Sequence, residues 1–169
     1  AVSEAAAIGN MKLVTHRLHQ ALRVTFITGC LAVVILFVFA EPIIQLMYGK
    51  SNAAMYITFL APICIFAYYQ MPLQSVLQAL NLARAAMINS LIGAVAKLAL
   101  IFLLSSQPKF GIMGTAIGFG ASIVLVTFLH FATIAKKIDI TIEIRSYLFT
   151  LLITAISGFV GHYFYANII

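Results

Sequence analysis

Residues 51–83 read SNAAMYITFLAPICIFAYYQMPLQSVLQALNLA, a stretch of 33 residues without one charge, closed on either side by Lys50 and Arg84. About 20 apolar residues in helical form cross a bilayer core, so one span fits here with turn residues to spare. Pro62 and Pro72 each remove a backbone donor and crowd the preceding turn, which predicts a kink or break in this helix.

The same pattern extends in both directions. Upstream, Val24–Ala40 is a charge-free run of 17 residues, about 26 Å of helix at ~1.5 Å per residue. It belongs to a span placed at 23–48, with Glu41-Pro42 near its far side. The central span is placed at 54–80. Further spans fall at 86–104, which holds the single charge Lys97, and at 111–135 and 147–166, which hold none. Residues 21–169 therefore form a five-span transmembrane region, and the fold class is all-α, a polytopic membrane helix bundle. Residues 1–20 read as an interfacial segment. In it Met11, Val14, Leu18, Ala21 and Leu22 share one helical face while Lys12, His16, Arg17 and His19 lie elsewhere. That pattern predicts an amphipathic helix lying in the membrane surface, preceded by an interruption at Gly9-Asn10.

Composition agrees. Hydrophobic residues make up 63% of the 169 and charged residues 8%, against roughly 25% charged in an average soluble domain. One soluble core of this size cannot hide so much apolar surface. A net charge of +6 would suggest nucleic acid if its residues clustered in a soluble domain. Here they lie between apolar runs, so the expected partners are membrane lipids and not nucleic acid. Cys30 and Cys64 fall inside apolar runs and read as small apolar residues.

Short connectors at 49–53, 81–85, 105–110 and 136–146 make successive helices antiparallel. The basic residues then sort, with Lys12, Arg17, Arg23, Arg84, Lys136, Lys137 and Arg145 on one side and Lys50 and Lys109 on the other. This bias places residues 1–20 in the cytoplasm. Asn167-Ile168-Ile169 closes the chain without a polar flank, and both ends read as cuts in a longer protein.

Polar residues within the spans are few. Gln70, Gln74 and Gln78 form one stripe at i, i+4, i+8, and Asn89, Gly93 and Lys97 form another on the next helix. Such groups face other helices or a wet cavity rather than lipid. Helix–helix hydrogen bonding and cavity lining both fit, with all five polar residues as candidate cavity groups. Lys97 is the sharpest of them, because a charge at mid-helix costs roughly 2.5–3.5 kcal/mol on insertion scales. It reads either as a cavity cation or as a donor to backbone carbonyls at a helix break. Glu41 reads as an interfacial acid, with ion coupling the alternative. His16 and His19 lack a third ligand nearby, so no metal site is assigned. Gly111, Gly114, Gly118, Gly120 and Ser122 make a small-residue face that predicts close helix packing. The four acids are not paired within any span, and no nucleophile–base arrangement or phosphate-binding glycine loop occurs. The expectation is a non-enzyme without cofactor.

The stretches Val2–Ala5, LHQALR at Leu18–Arg23, AEPIIQLMYG at Ala40–Gly49, PLQSVLQALNLARAAMINSLIGAVAKLALIFLL at Pro72–Leu104, and Gly111–Phe131 together resemble the stage V sporulation protein B family. That family lies in the polysaccharide-transport branch of the multidrug/oligosaccharidyl-lipid/polysaccharide superfamily. The resemblance implies a two-lobed transporter of about fourteen spans, of which this chain is similar to part of the C-terminal lobe. It implies a flippase moving lipid-linked, peptidoglycan-type saccharide precursors across the plasma membrane by alternating access, with spore cortex formation as the setting. The implied partners are that lipid-linked substrate and the N-terminal lobe of the same protein. Two alternatives remain, a membrane scaffold that recruits cell-wall synthesis enzymes and a multidrug-type exporter of the same superfamily.

Overall fold

The computed structural model describes residues 2–49, 53–138 and 144–168. Residues 50–52 and 139–143 of the 49–53 and 136–146 connectors, Lys50 included, and the side chain of Arg145 lie outside the described residues. The elements are α1 (Val2–Ala7), α2 (Met11–Val38), α3 (Ala40–Tyr48), α4 (Ala54–Leu60), a 3-10 turn (Ala61–Ile63), α5 (Cys64–Ala79), α6 (Ala83–Ser105), α7 (Gly111–Ala135) and α8 (Ile144–Ile168). Among the described residues five stretches are long and apolar enough to cross a membrane: Met11–Val38, Ala54–Ala79, Ala83–Ser105, Gly111–Ala135 and Tyr147–Phe164. The chain is a multi-pass, all-α membrane protein.

Local chemistry sets the boundaries. Asn10 caps α2, its Oδ1 accepting the Leu13 amide at 3.1 Å. The first span was expected to continue to residue 48, but α2 stops at Val38 and α3 begins at Ala40. Pro42 explains the break, since its ring meets the carbonyl four residues back, that of Val38, and it has no N–H to offer. Within α3, Pro42 occupies the first turn, where no donor is needed. Pro62 has the same effect downstream, lying in the 3-10 turn between α4 and α5, whereas Pro72 is accommodated inside α5. After α5, Asn81 takes the left-handed conformation (φ 58°). The Leu82 amide donates to Leu77 O at 2.8 Å and the Asn81 amide to Gln78 O at 3.1 Å. This pair of bonds is a Schellman closure, and it reverses the chain within three residues.

The chain divides into two units, one of Ala1–Thr25 with Phe66–Ile142 and the other of Phe26–Ile65 with Glu143–Ile169. The first unit has a buried cluster of Val14, Leu18 and Leu22 from α2, Leu73, Val76 and Leu77 from α5, Ala86 from α6, and Ile134 with Ile138 at the end of α7. Most of the apolar face of the amphipathic segment is turned to these helices. Val14 and Leu18 are 0% exposed, covered by protein, and the segment is continuous with the span that follows. Amphipathicity requires an apolar neighbour, and here helices supply it.

In the second unit Phe26 of α2 meets Tyr147 of α8 edge-on, with ring centroids 4.9 Å apart. Further along both helices, Gly161 faces Val38, where a Cβ would lie 3.3 Å from a Val38 methyl. The two contacts advance together, so α2 and α8 run parallel there. Parallel first and fifth spans are what alternating antiparallel connections require.

Candidate functional site

The site residues lie on α5, α6 and α7 of the first unit. The α6–α7 pair is antiparallel, and each step of four back along α6 meets a step of four forward along α7. Near the start of α7, a Cβ on Gly114 would lie 2.6 Å from the Leu104 carbonyl carbon, and one on Gly118 would lie 2.9 Å from the Ile101 amide nitrogen. These helices touch backbone to backbone, which only glycine permits. Deeper in, the Ser122 hydroxyl donates to Gly93 O at 3.0 Å. Deeper still, Asn89 Nδ2 donates to Thr133 Oγ1 at 3.0 Å and lies 3.3 Å from His130 Nδ1. Thr133 in turn donates to Leu129 O at 2.7 Å. With Asn89 as donor, Nδ1 of His130 accepts and the ring proton sits on Nε2.

Lys97 belongs to the same seam. It is partly buried, and its Nζ lies 5.7 Å from the centroid of the Phe119 ring. By helix rise of ~1.5 Å per residue it stands about 21 Å from the start of α6 and about 12 Å from its end. Among the described residues it has no acidic partner. A cation–π contact of this kind is worth about 0.5–2 kcal/mol and occupies none of the three ammonium protons.

The glutamine stripe divides. Gln70 Nε2 donates to Ile123 O at 3.1 Å and approaches Thr127 Oγ1 at 3.4 Å, joining α5 to α7. Thr127 also reaches Phe66 O at 2.8 Å, and Tyr69 packs edge-on to Phe131 at 5.9 Å. Gln74 is partly buried and Gln78 exposed, and neither side-chain amide has a hydrogen-bond partner among the described residues. Thus Gln70, Asn89 and Lys97 all address α7, while Gln74 and Gln78 do not join them. Glu41 stands apart in the second unit, exposed in the first turn of α3, where it complements the helix dipole.

Sequence reasoning missed His130, Thr127, Thr133 and Phe119 as partners. The five-residue turn between α6 and α7 carried the missing signal, because it fixes an antiparallel register in which 89 faces 130 and 93 faces 126.

Comparison with known proteins adds an independent observation. Residues 1–103, more than half of the chain, match the MatE family model. The chain belongs to the MatE family. It is 48% identical over 161 residues to stage V sporulation protein B of Bacillus subtilis (strain 168), covering 95% of this chain and 31% of that protein. It is 29% identical over 141 residues to sporulation protein YkvU of the same organism, covering 83% of this chain and 32% of that protein. The chain thus spans about a third of the length of these relatives. No solved structure matches it.

Proposed function

We propose that this chain is the C-terminal part of a flippase that carries lipid-linked, peptidoglycan-type saccharide precursors across the plasma membrane by alternating access. MatE membership supports a transport role, and the relatives' names connect them with sporulation, which agrees with a role in the spore cortex. One observation carries the reading. Lys97 sits in mid-span against an aromatic ring with its ammonium protons unclaimed by any acid among the described residues. A cation at mid-span without an anion is costly, and the pyrophosphate of a lipid-linked sugar would complete it during passage. Gln74 and Gln78, whose side chains have no hydrogen-bond partner among the described residues, supply amides for sugar hydroxyls or phosphate oxygens. Glu41 is the remaining candidate for ion coupling. No step requires a cofactor or covalent chemistry.

The direct test reconstitutes the full-length protein into liposomes carrying a lipid-linked saccharide and follows its movement between leaflets. Movement above that of empty vesicles supports the reading. A protein that moves drug-like cations and leaves the saccharide lipid in place supports the exporter instead. The scaffold alternative draws on Gln70 and Asn89, both engaged in joining helices. It predicts intact assembly of cell-wall enzymes and no lipid movement at all.

A further inference from the structure

The N-terminal half of α2 has its apolar face closed by protein, so whatever its polar face does is done from a fixed orientation. Lys12, His16, Arg17 and Arg23 are exposed on it. Gln20 ties two of them together, accepting from Arg17 Nη1 at 3.2 Å and lying 3.1 Å from His16 Nε2. The buried cluster that fixes α2 also fixes the other basic residues at this end. Arg84 stands two residues before Ala86 of the cluster, and Lys136 and Lys137 lie between Ile134 and Ile138. All three are exposed. Glu4 is the one acid among the described residues of this unit. Lys12, Arg17, Arg23, Arg84, Lys136 and Lys137 outnumber it six to one.

We propose that this collar binds the phosphate groups of anionic phospholipids in the adjoining leaflet. Charge complementarity selects an anion, and the neighbouring surface selects an amphiphile. Just beyond Arg84 the exposed surface becomes Met87 (63% exposed) and Ile88, and about two turns before Lys136 it is Phe128 (69%). A ligand that fits has its phosphate at the helix ends and its acyl chains along the apolar flank. A soluble phosphate would use only the first half. The inference goes beyond the transport reading and does not depend on it.

The experiment measures retention of fluorescent phosphatidylglycerol and phosphatidylcholine, matched in acyl chains, by the purified protein in neutral-detergent micelles. Phosphatidylglycerol should be held preferentially, and its retention should weaken as salt rises. Replacing Arg17, Arg23, Lys136 and Lys137 with Gln should weaken it by about fivefold per charge removed. The charge-preserving pair Arg17→Lys and Arg23→Lys should retain most of the preference, as should Lys50→Gln with Lys109→Gln. Should the Gln variant aggregate, the salt titration and the Lys pair on well-behaved protein decide. Equal retention of both lipids, insensitivity to salt, equal loss in the Lys50/Lys109 variant, or displacement by millimolar glycerol phosphate would each overturn the proposal.

Discussion

Asn89 and His130, forty-one residues apart in the chain, meet across the α6–α7 seam with Nδ2 3.3 Å from Nδ1, both side chains buried. Thr133 receives the second amide proton at 3.0 Å. In lipid such a contact is not replaced by water when broken, although the separated helices find other partners, so its worth is about 0.6–2 kcal/mol. Asn89→Ala and His130→Ala should each lower unfolding stability in detergent by about that amount. The double variant should lose less than the sum of the two. Strict additivity would show that the pair does not interact.

Gly114 tests backbone contact at the other end of the seam. A Cβ there would meet the Leu104 carbonyl at 2.6 to 2.8 Å, whereas one on Gly158 of α8 would meet nothing within 4 Å. Gly114→Ala should therefore destabilise by about 1–3 kcal/mol, as overpacking does, and Gly158→Ala should be close to neutral. Thermal unfolding of the two purified variants compares them. Equal midpoints would mean that α6 and α7 are not in close contact.

Topology follows from the sorting of basic residues and from the parallel course of α2 and α8. The N-terminus and the 81–85 and 136–146 connectors are expected in the cytoplasm, with 49–53 and 105–110 outside. A membrane-impermeant thiol reagent applied to intact cells should modify a Lys50→Cys variant and spare Lys137→Cys. The opposite pattern would reverse the assignment.

The spans were legible because charge is absent between Lys50 and Arg84 and again over 24–40, 111–135 and 147–166, and lipid leaves no other reading of such runs. Where the first span ends was less legible, since hydropathy does not register that Pro42 collides with the Val38 carbonyl. The pattern of Val14, Leu18 and Leu22 showed that a face must be covered, yet protein and membrane surface satisfy it equally. The polar stripes behaved alike. Spacing of four places Asn89, Gly93 and Lys97 on one face of one helix, but which neighbour that face meets is a property of the connector and the glycines opposite. For that reason Gln70 could be grouped with Gln74 and Gln78 from spacing, while the structure gives it a separate partner in α7.

The transport account rests most heavily on Lys97, and cells that depend on the full-length protein offer the most direct test. The measurement is the level of lipid-linked saccharide precursor in cells carrying Lys97→Met, with the amount of protein in the membrane determined in parallel. The account predicts precursor accumulation at near-normal protein abundance, and partial recovery in Lys97→Arg, where a positive charge survives beside Phe119. Normal precursor turnover in the Met variant would contradict it and leave Lys97 with a structural role only.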